Sequence, residues 1–378
     1  METLRVASQL RKLDVPRGVN LCSNDYLGLA DDARLKVATL DALHAAGRVG
    51  ATGSRLLSGN CQEWETLESE FAEFVGTEAA LYFNSGYAAN NGLLSAILKP
   101  GDIVFSDALN HASIIDGVRL SAAAKFIYPH ADLRAIEQGL RARQAGRGAT
   151  VIVTESIFSM EGDLAPVEEL LSLARKYGAE LIVDEAHATG VCGPQGRGVA
   201  AAYVREPEML AVVHTCGKAL GSAGGFVCST DAVKQYLVNR ARPFVFSTAM
   251  PPYFAGQIRA ALKIARDADA QRAHLRDISE RLRKLLSAAG LDCGSSATQI
   301  IPVILGSNEA ALRVAEILRD NGFAAKAVRP PTVPEGTARI RVSLTSRITF
   351  EQIHRLAEVI IEACKSPRQE TARYQHAQ

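Results

Sequence analysis

Long apolar runs are missing from this chain of 378 residues. None approaches the roughly 18 residues that a membrane-spanning helix needs. A surplus of either charge is missing too: 42 lysines and arginines face 41 aspartates and glutamates. That balance removes the electrostatic footprint of a nucleic-acid or anionic-membrane binder. The seven cysteines (Cys22, Cys61, Cys192, Cys216, Cys228, Cys293 and Cys364) contain no C-x-x-C pair. An odd, scattered set in a chain of this size argues against a disulfide framework or a cysteine zinc site and suits reduced thiols. There is no internal repeat, and Met1-Glu2-Thr3 does not open a signal peptide. The expectation is a cytoplasmic enzyme, long enough for two domains and a sizeable core.

What is present centres on Val213-His214-Thr215-Cys216-Gly217-Lys218-Ala219-Leu220-Gly221. It reads as a buried strand that ends in small residues and delivers one lysine. A phosphate-cradling P-loop needs glycine five residues before Gly217 and Ser or Thr after the lysine. Val212 and Ala219 stand there instead, and the G-x-G-x-x-G spacing of a dinucleotide site is absent as well. Two readings remain, a surface lysine in a loop and a desolvated amine that loses its proton easily, as a cofactor-bearing lysine must.

The chain divides into an N-terminal segment (1–29), a large cofactor-binding domain (30–255), a smaller C-terminal domain with its connecting helix (256–365) and a polar tail (366–378). Met1 to Leu21 reads as a short amphipathic piece, and Gly47 to Gly59 as a mobile loop or a linker. From Ala79 onward apolar runs alternate with helical patterns. The strand candidates are Ala79–Phe83, Ile103–Ser106, Lys125–Tyr128, Thr150–Thr154, Glu180–Val183, Leu210–His214, Gly225–Cys228 and Phe244–Ser247. Such alternation predicts an α/β fold with a mainly parallel sheet covered by helices on both faces. After Pro251-Pro252 the 3–4 spacing of Leu275, Ile278, Leu282 and Leu285 predicts one long helix from about Ala255 to Ala289. A smaller α+β part follows, with strands at Gln299–Leu305 and Thr337–Thr345 and helices near Ala310–Asn321 and Phe350–Cys364.

Ligands of such sheets sit beyond the carboxyl ends of the strands, where the candidate polar residues fall. Ser85-Gly86-Tyr87 ends one strand and opens a helix, and a helix start offers N–H groups and a positive dipole end to a phosphate. His111 stands at another helix start, either as a hydrogen bonder of that turn or as an active group. Glu155 and Ser159 follow a strand. Asp184 ends an apolar strand, so its carboxylate needs a cationic partner, and His187 three residues on can face the same pocket. A metal-ligand pair or a buried structural aspartate is the alternative. A lysine, an aspartate and a phosphate-binding helix start are together the parts that a pyridoxal phosphate site requires. On the strand Thr337–Thr345, Arg339 and Arg341 share one face, either solvated or salt-bridged, or with one of them placed to clamp a substrate carboxylate.

These segments also carry a family likeness. Ser23-Asn24-Asp25-Tyr26-Leu27-Gly28, Asn110-His111-Ala112-Ser113, Phe158-Ser159-Met160-Glu161-Gly162-Asp163, Asp184-Glu185-Ala186-His187, Thr215-Cys216-Gly217-Lys218 and Ser247-Thr248-Ala249-Met250-Pro251-Pro252 resemble the α-oxoamine synthases. These are fold-type-I pyridoxal phosphate transferases. The likeness runs in order from about Asn20 to Cys364. Arg329-Pro330-Pro331-Thr332-Val333-Pro334 with Gly336-Thr337-Ala338-Arg339 is similar to the branch that condenses L-alanine with a pimeloyl thioester, carried on coenzyme A or an acyl carrier protein.

The resemblance implies that Lys218 bears the cofactor and moves the proton, Asp184 pairs with the ring nitrogen and His111 stacks on the ring. It implies that His187 and Ser159 reach the ring hydroxyl, and that Ser85, Gly86, Tyr87 and Thr215 hold the phosphate end. Thr248 would serve the phosphate of a neighbouring subunit, which implies a homodimer with sites at the interface. Arg341 with Asn24 nearby, and Thr332 on the acyl side, would bind substrate. No metal is implied. The chain departs from the family in a short segment before the Ser-Asn-Asp-Tyr turn, which assigns neither Arg5 nor Arg11, and in Trp64, where relatives often have histidine.

Overall fold

The computed structural model describes residues 5, 7–11, 13–143 and 148–365; the expected polar tail lies outside them. The strands are Val19–Asn20 (β1), Ala79–Phe83 (β2), Ile103–Asp107 (β3), Ala124–Tyr128 (β4), Thr150–Glu155 (β5), Glu180–Asp184 (β6), Met209–Thr215 (β7), Gly225–Ser229 (β8), Ile300–Gly306 (β9), Phe323–Ala324 (β10), Ala327–Val328 (β11) and Ala338–Ser343 (β12). Among the described residues the large sheet has the order β2-β8-β7-β6-β5-β3-β4. β8 runs antiparallel to both neighbours, and the others pair in parallel. Its central strands are apolar nearly throughout because helices cover both faces. Thr150–Glu155 is buried at every position.

Two helices after the sheet strands show how sequence sets the ends. Ser85 caps Gly86–Ile97, its hydroxyl accepting from Ala88 N. Asp132 caps Leu133–Ala142 by accepting from Arg134 N and Ala135 N, so two of the helix's orphan N–H groups are satisfied. The parallel strands end at one edge, and Asp107, Glu155, Asp184 and Thr215 all stand on it.

The C-terminal part is α+β. β12 lies between β11 and β9, antiparallel to both, and β1 pairs in parallel with β10, which ties the N-terminal segment to it. Among the described residues before β1, Leu13 and Val15 are fully or largely exposed. The Gly47–Gly59 stretch holds a π-helical turn at Arg55–Gly59, and Arg55 Nη1 lies 2.8 Å from the buried Glu68 carboxylate, so it is anchored.

Two expected elements differ. Phe244–Ser247 is not a strand; Arg242–Val245 is a short helix with Pro243 in its first turn. Proline lacks a ladder donor and suits a helix start, while Phe244 packs edge-on against Phe83 with 5.9 Å between centroids. The expected helix Ala255–Ala289 is two helices, Tyr253–Arg266 and Asp269–Ala288. Arg272, 7 % exposed, donates to the carbonyls of Ala265 at 2.5 Å and Arg266 at 2.9 Å and to Gly190 O at 3.3 Å. Its guanidinium thus takes up the carbonyls that the first helix leaves open. Among the described residues no helix is long and apolar enough to cross a membrane.

Candidate active site

β6 and β7 are adjacent and parallel, so Asp184 at the end of one and Lys218 just past the other open on the same edge. Lys218 Nζ lies 2.9 Å from His187 Nε2. His187 Nδ1 lies 2.6 Å from the Tyr26 hydroxyl, which donates to Asn24 Oδ1 at 3.1 Å. The same Asn24 oxygen accepts from Arg341 Nη1 and Nη2, each at 3.2 Å, and from Ser343 Oγ at 3.2 Å. Arg341 Nε donates to the carbonyl of Ser159. One hydrogen-bonded path therefore joins Lys218, His187, Asn24, Arg341 and Ser159.

Asp184 accepts from Asn90 Nδ2 at 2.6 Å and Ala186 N at 2.8 Å. His111 caps the helix Ala112–Leu120, its Nδ1 accepting from Ser113 N. The hydrogen-bonding reading of this histidine is therefore right, and its ring also lies within electrostatic reach of both Asp184 and Lys218. No group of three or more His, Cys, Asp or Glu among the described residues could hold a metal ion.

A second focus lies at the start of Gly86–Ile97. A Cβ on Gly86 would come within 3.2 Å of Thr215 Oγ1, and one on Gly225 within 2.9 Å of Gly86 Cα. Glycine at both positions lets this helix start close on the end of β7, and Thr215 Oγ1 donates to Gly224 O at 3.1 Å. Tyr87 is exposed, its hydroxyl bonded to Asp116, so only its backbone is available to this focus. Thr248 is exposed, and its carbonyl accepts from Asn84 at 2.8 Å. Thr332 stands apart on the surface and accepts from Arg11 Nη2 at 2.7 Å.

Burial governs the titration. It presses the Lys218 amine down to about 8, against the pull of Asp184 and Glu155, with Arg341 adding to the depression. It holds His187 well below the ordinary imidazole range, aided by Lys218 and Arg341. Glu155 is pushed well above the carboxylate range by burial and then by Asp184, and its Oε1 has no partner. Arg339, expected on the same face as Arg341, is buried and paired with Glu161 at 3.0 Å, so neither arginine is solvated. Arg341 is 9 % exposed and, among the described residues, meets only neutral oxygens. A buried guanidinium without a carboxylate is set to receive one.

Sequence reasoning missed Tyr26, Asn90 and Gln299. Gln299 Nε2 donates to His187 O at 3.0 Å. Asn90 offered a faint signal, an amide among small and apolar residues one helical turn after Gly86; Tyr26 and Gln299 offered none. Trp64 is fully buried and stacks on Tyr82 with centroids 4.3 Å apart, which makes it a core residue.

The profile of the family "Aminotransferase class I and II" matches residues 16–360. The 8-amino-7-oxononanoate synthase of Geobacter sulfurreducens is 47 % identical over 328 residues, covering 86 % of this chain and 83 % of that one. Among solved structures, the serine palmitoyltransferase of Sphingomonas wittichii superposes with a TM-score of 0.87 at 33 % identity, covering 92 % of this chain and 87 % of that one. The 8-amino-7-oxononanoate synthase of Francisella tularensis does so with 0.79 at 30 % identity, covering 91 % and 97 %.

Proposed function

We propose that this chain, which belongs to the aminotransferase class I and II family and within it to the α-oxoamine synthases, condenses L-alanine with a pimeloyl thioester to give 8-amino-7-oxononanoate, a step of biotin biosynthesis. Carbon dioxide and the free thiol are the other products. The cofactor is pyridoxal 5'-phosphate, and the thioester is carried on coenzyme A or an acyl carrier protein. The pocket fits the cofactor: a half-buried amine shares its edge with a buried carboxylate, and the glycine at the nearby helix start leaves no Cβ in the way.

Lys218 would hold the cofactor's aldehyde carbon, Asp184 its ring nitrogen, His111 its ring face, and His187 and Ser159 its ring hydroxyl. Ser85, Gly86, Tyr87 and Thr215, with Thr248 of a second copy, would hold the phosphate. Bound there, the cofactor supplies an electron-withdrawing ring that acidifies the α-proton of an amino acid. Arg341, steadied by Asn24 and the Ser159 carbonyl, takes the alanine carboxylate. Nζ of Lys218, whose proton affinity burial lowers, takes the α-proton. His187 is neutral, so its Nε2 accepts from that amine and aims it. Thr332, on the surface beside Arg11, would serve the acyl substrate.

The observation that carries this reading is Arg341: buried, without a counter-charge among the described residues, and within electrostatic reach of the Lys218 amine. The test is thiol release by purified, cofactor-loaded protein from pimeloyl-coenzyme A and pimeloyl-acyl carrier protein, with L-alanine, glycine and serine compared. Alanine-dependent release with an amino-ketone product is expected. Preference for glycine with acetyl or succinyl donors, or for serine with a palmitoyl donor, would move the chain to a sister synthase. Turnover of a 2-oxo acid without thioester would make it an aminotransferase.

A further inference from the structure

The hydrogen bonds behind the site determine one proton position. Both oxygens of Asp184 accept, one from Ala186 N at 2.8 Å and the other from Asn90 Nδ2 at 2.6 Å. Only the nitrogen of an amide can face a carboxylate, so the orientation of Asn90 follows from its neighbour. The second hydrogen on that nitrogen goes to Ser113 Oγ at 3.0 Å. A serine hydroxyl has one hydrogen. Its oxygen has two lone pairs, so accepting from Asn90 leaves open which way the 2.8 Å bond to Nδ1 of His111 runs. The backbone N–H of Ser113 points at the same ring nitrogen from 3.2 Å. A nitrogen that accepts from a backbone N–H carries no hydrogen of its own, so the serine hydroxyl donates to Nδ1 as well.

We infer that Asn90 and Ser113 are positioning residues that lock His111 as its neutral Nε2–H tautomer. Both are almost fully buried, at 2 % and 1 % exposure; the Asn90 oxygen has no partner among the described residues, and a reversed amide would set that oxygen against the Asp184 carboxylate. Partial desolvation of the ring, opposed by Asp184 and helped by the Lys218 charge, lowers its proton affinity. Among the described residues no protein group bonds Nε2, and the residue is exposed at the mouth of the site. Two consequences follow for the reaction, on whose reading this inference rests. A ring nitrogen that already holds a hydrogen cannot take the α-proton, so the base role stays with Lys218. His111 presents a donor to substrate oxygen, and its Nδ1 edge lies in the same hydrogen-bonded chain as the Asp184 carboxylate.

The test is the tautomer of His111 in the 15N-histidine-labelled holoenzyme, read by long-range proton–nitrogen NMR and assigned with His111→Asn. The wild type should show Nε2–H with an unprotonated Nδ1 through neutral pH. Ser113→Ala should give a mixture of tautomers and a kcat lower by about ten- to a hundred-fold, the scale on which orienting partners act. Its visible cofactor absorption should be retained, and Ser113→Thr, which keeps the hydroxyl, should restore both readouts. An Nδ1–H or imidazolium signal in the wild type overturns the inference even if turnover is as proposed, and needs no variant to fold. Unchanged tautomer and kcat in Ser113→Ala overturn it as well. A wild type with the Nε2–H signal but no alanine-dependent turnover would sink the functional reading and still support the lock.

Discussion

At the scale of single residues the site works by withholding water and partners. Lys218 has a neutral imidazole and distant charges around it, and Arg341, among the described residues, has only neutral oxygens. Lys218→Ala should therefore abolish turnover and the visible absorption of the bound cofactor while leaving the far-ultraviolet circular dichroism of the fold unchanged. Arg341→Lys keeps the charge but loses the planar fork that grips a carboxylate at two points. It should raise KM for L-alanine about tenfold or more, the value of a lost charge-assisted bond, with a smaller change in kcat. Steady-state kinetics at saturating thioester separates the two. A fall in kcat alone would place Arg341 outside amino-acid binding.

At the scale of elements, one clasp holds the loop that carries Ser159. His130, just past β4, lies between Asp107 Oδ1 at 3.0 Å and Asp163 Oδ2 at 2.9 Å. Ser295 also donates to Asp163, and Thr298 Oγ1 donates to Gly162 O at 2.7 Å. The loop 158–163 is thus tied to the large sheet on one side and to the C-terminal part on the other. Burial presses on the His130 imidazolium, but hydrogen bonds and charge from Asp107 and Asp163 outweigh it and raise its pKa to about 10. The folded value lies above the ordinary unfolded value, so the folded state binds the extra proton. That stabilisation is complete below about pH 6.5 and disappears as pH rises through about 10. His130→Gln should cost about 1–3 kcal/mol near pH 6 by urea unfolding, and the gap to wild type should narrow toward pH 10. A gap independent of pH would mean that the histidine contributes by shape alone.

At the scale of the whole molecule, the exposed apolar side chains Val49, Leu57 and Phe246 and the exposed Thr248 fit the proposal that two copies meet around the site. Lys218→Ala removes the amine, and Thr248→Asp sets a carboxylate against the phosphate. If Thr248 serves the other copy's site, mixing the two inactive variants gives heterodimers with one intact site. Recovered activity should then approach about a quarter of wild type after random reassortment of a two-fold dimer. No recovery, with mixed dimers verified by mass spectrometry, would place Thr248 in its own subunit's site.

The linear order of residues was enough for the alternating strands and helices, because strands buried on both faces leave unbroken apolar runs such as Thr150–Glu155. It was enough too for the lysine and aspartate, since each stands at the end of such a run. It misread Phe244–Ser247 and the break before Asp269, where a short apolar or periodic stretch has the same pattern in either state and the outcome rests on Phe83 and Arg272, distant in the chain. The roles of Tyr26 and Gln299 were invisible, and that of Asn90 nearly so, for the same reason: a polar side chain acquires its role from what the folded chain brings opposite it. Only the tertiary structure decided that Arg341 has no counter-ion among the described residues and that Ser113 gives its one hydrogen to His111. Hydrogen-bond accounting needs every partner in place, and those partners come from helices and strands far apart in sequence.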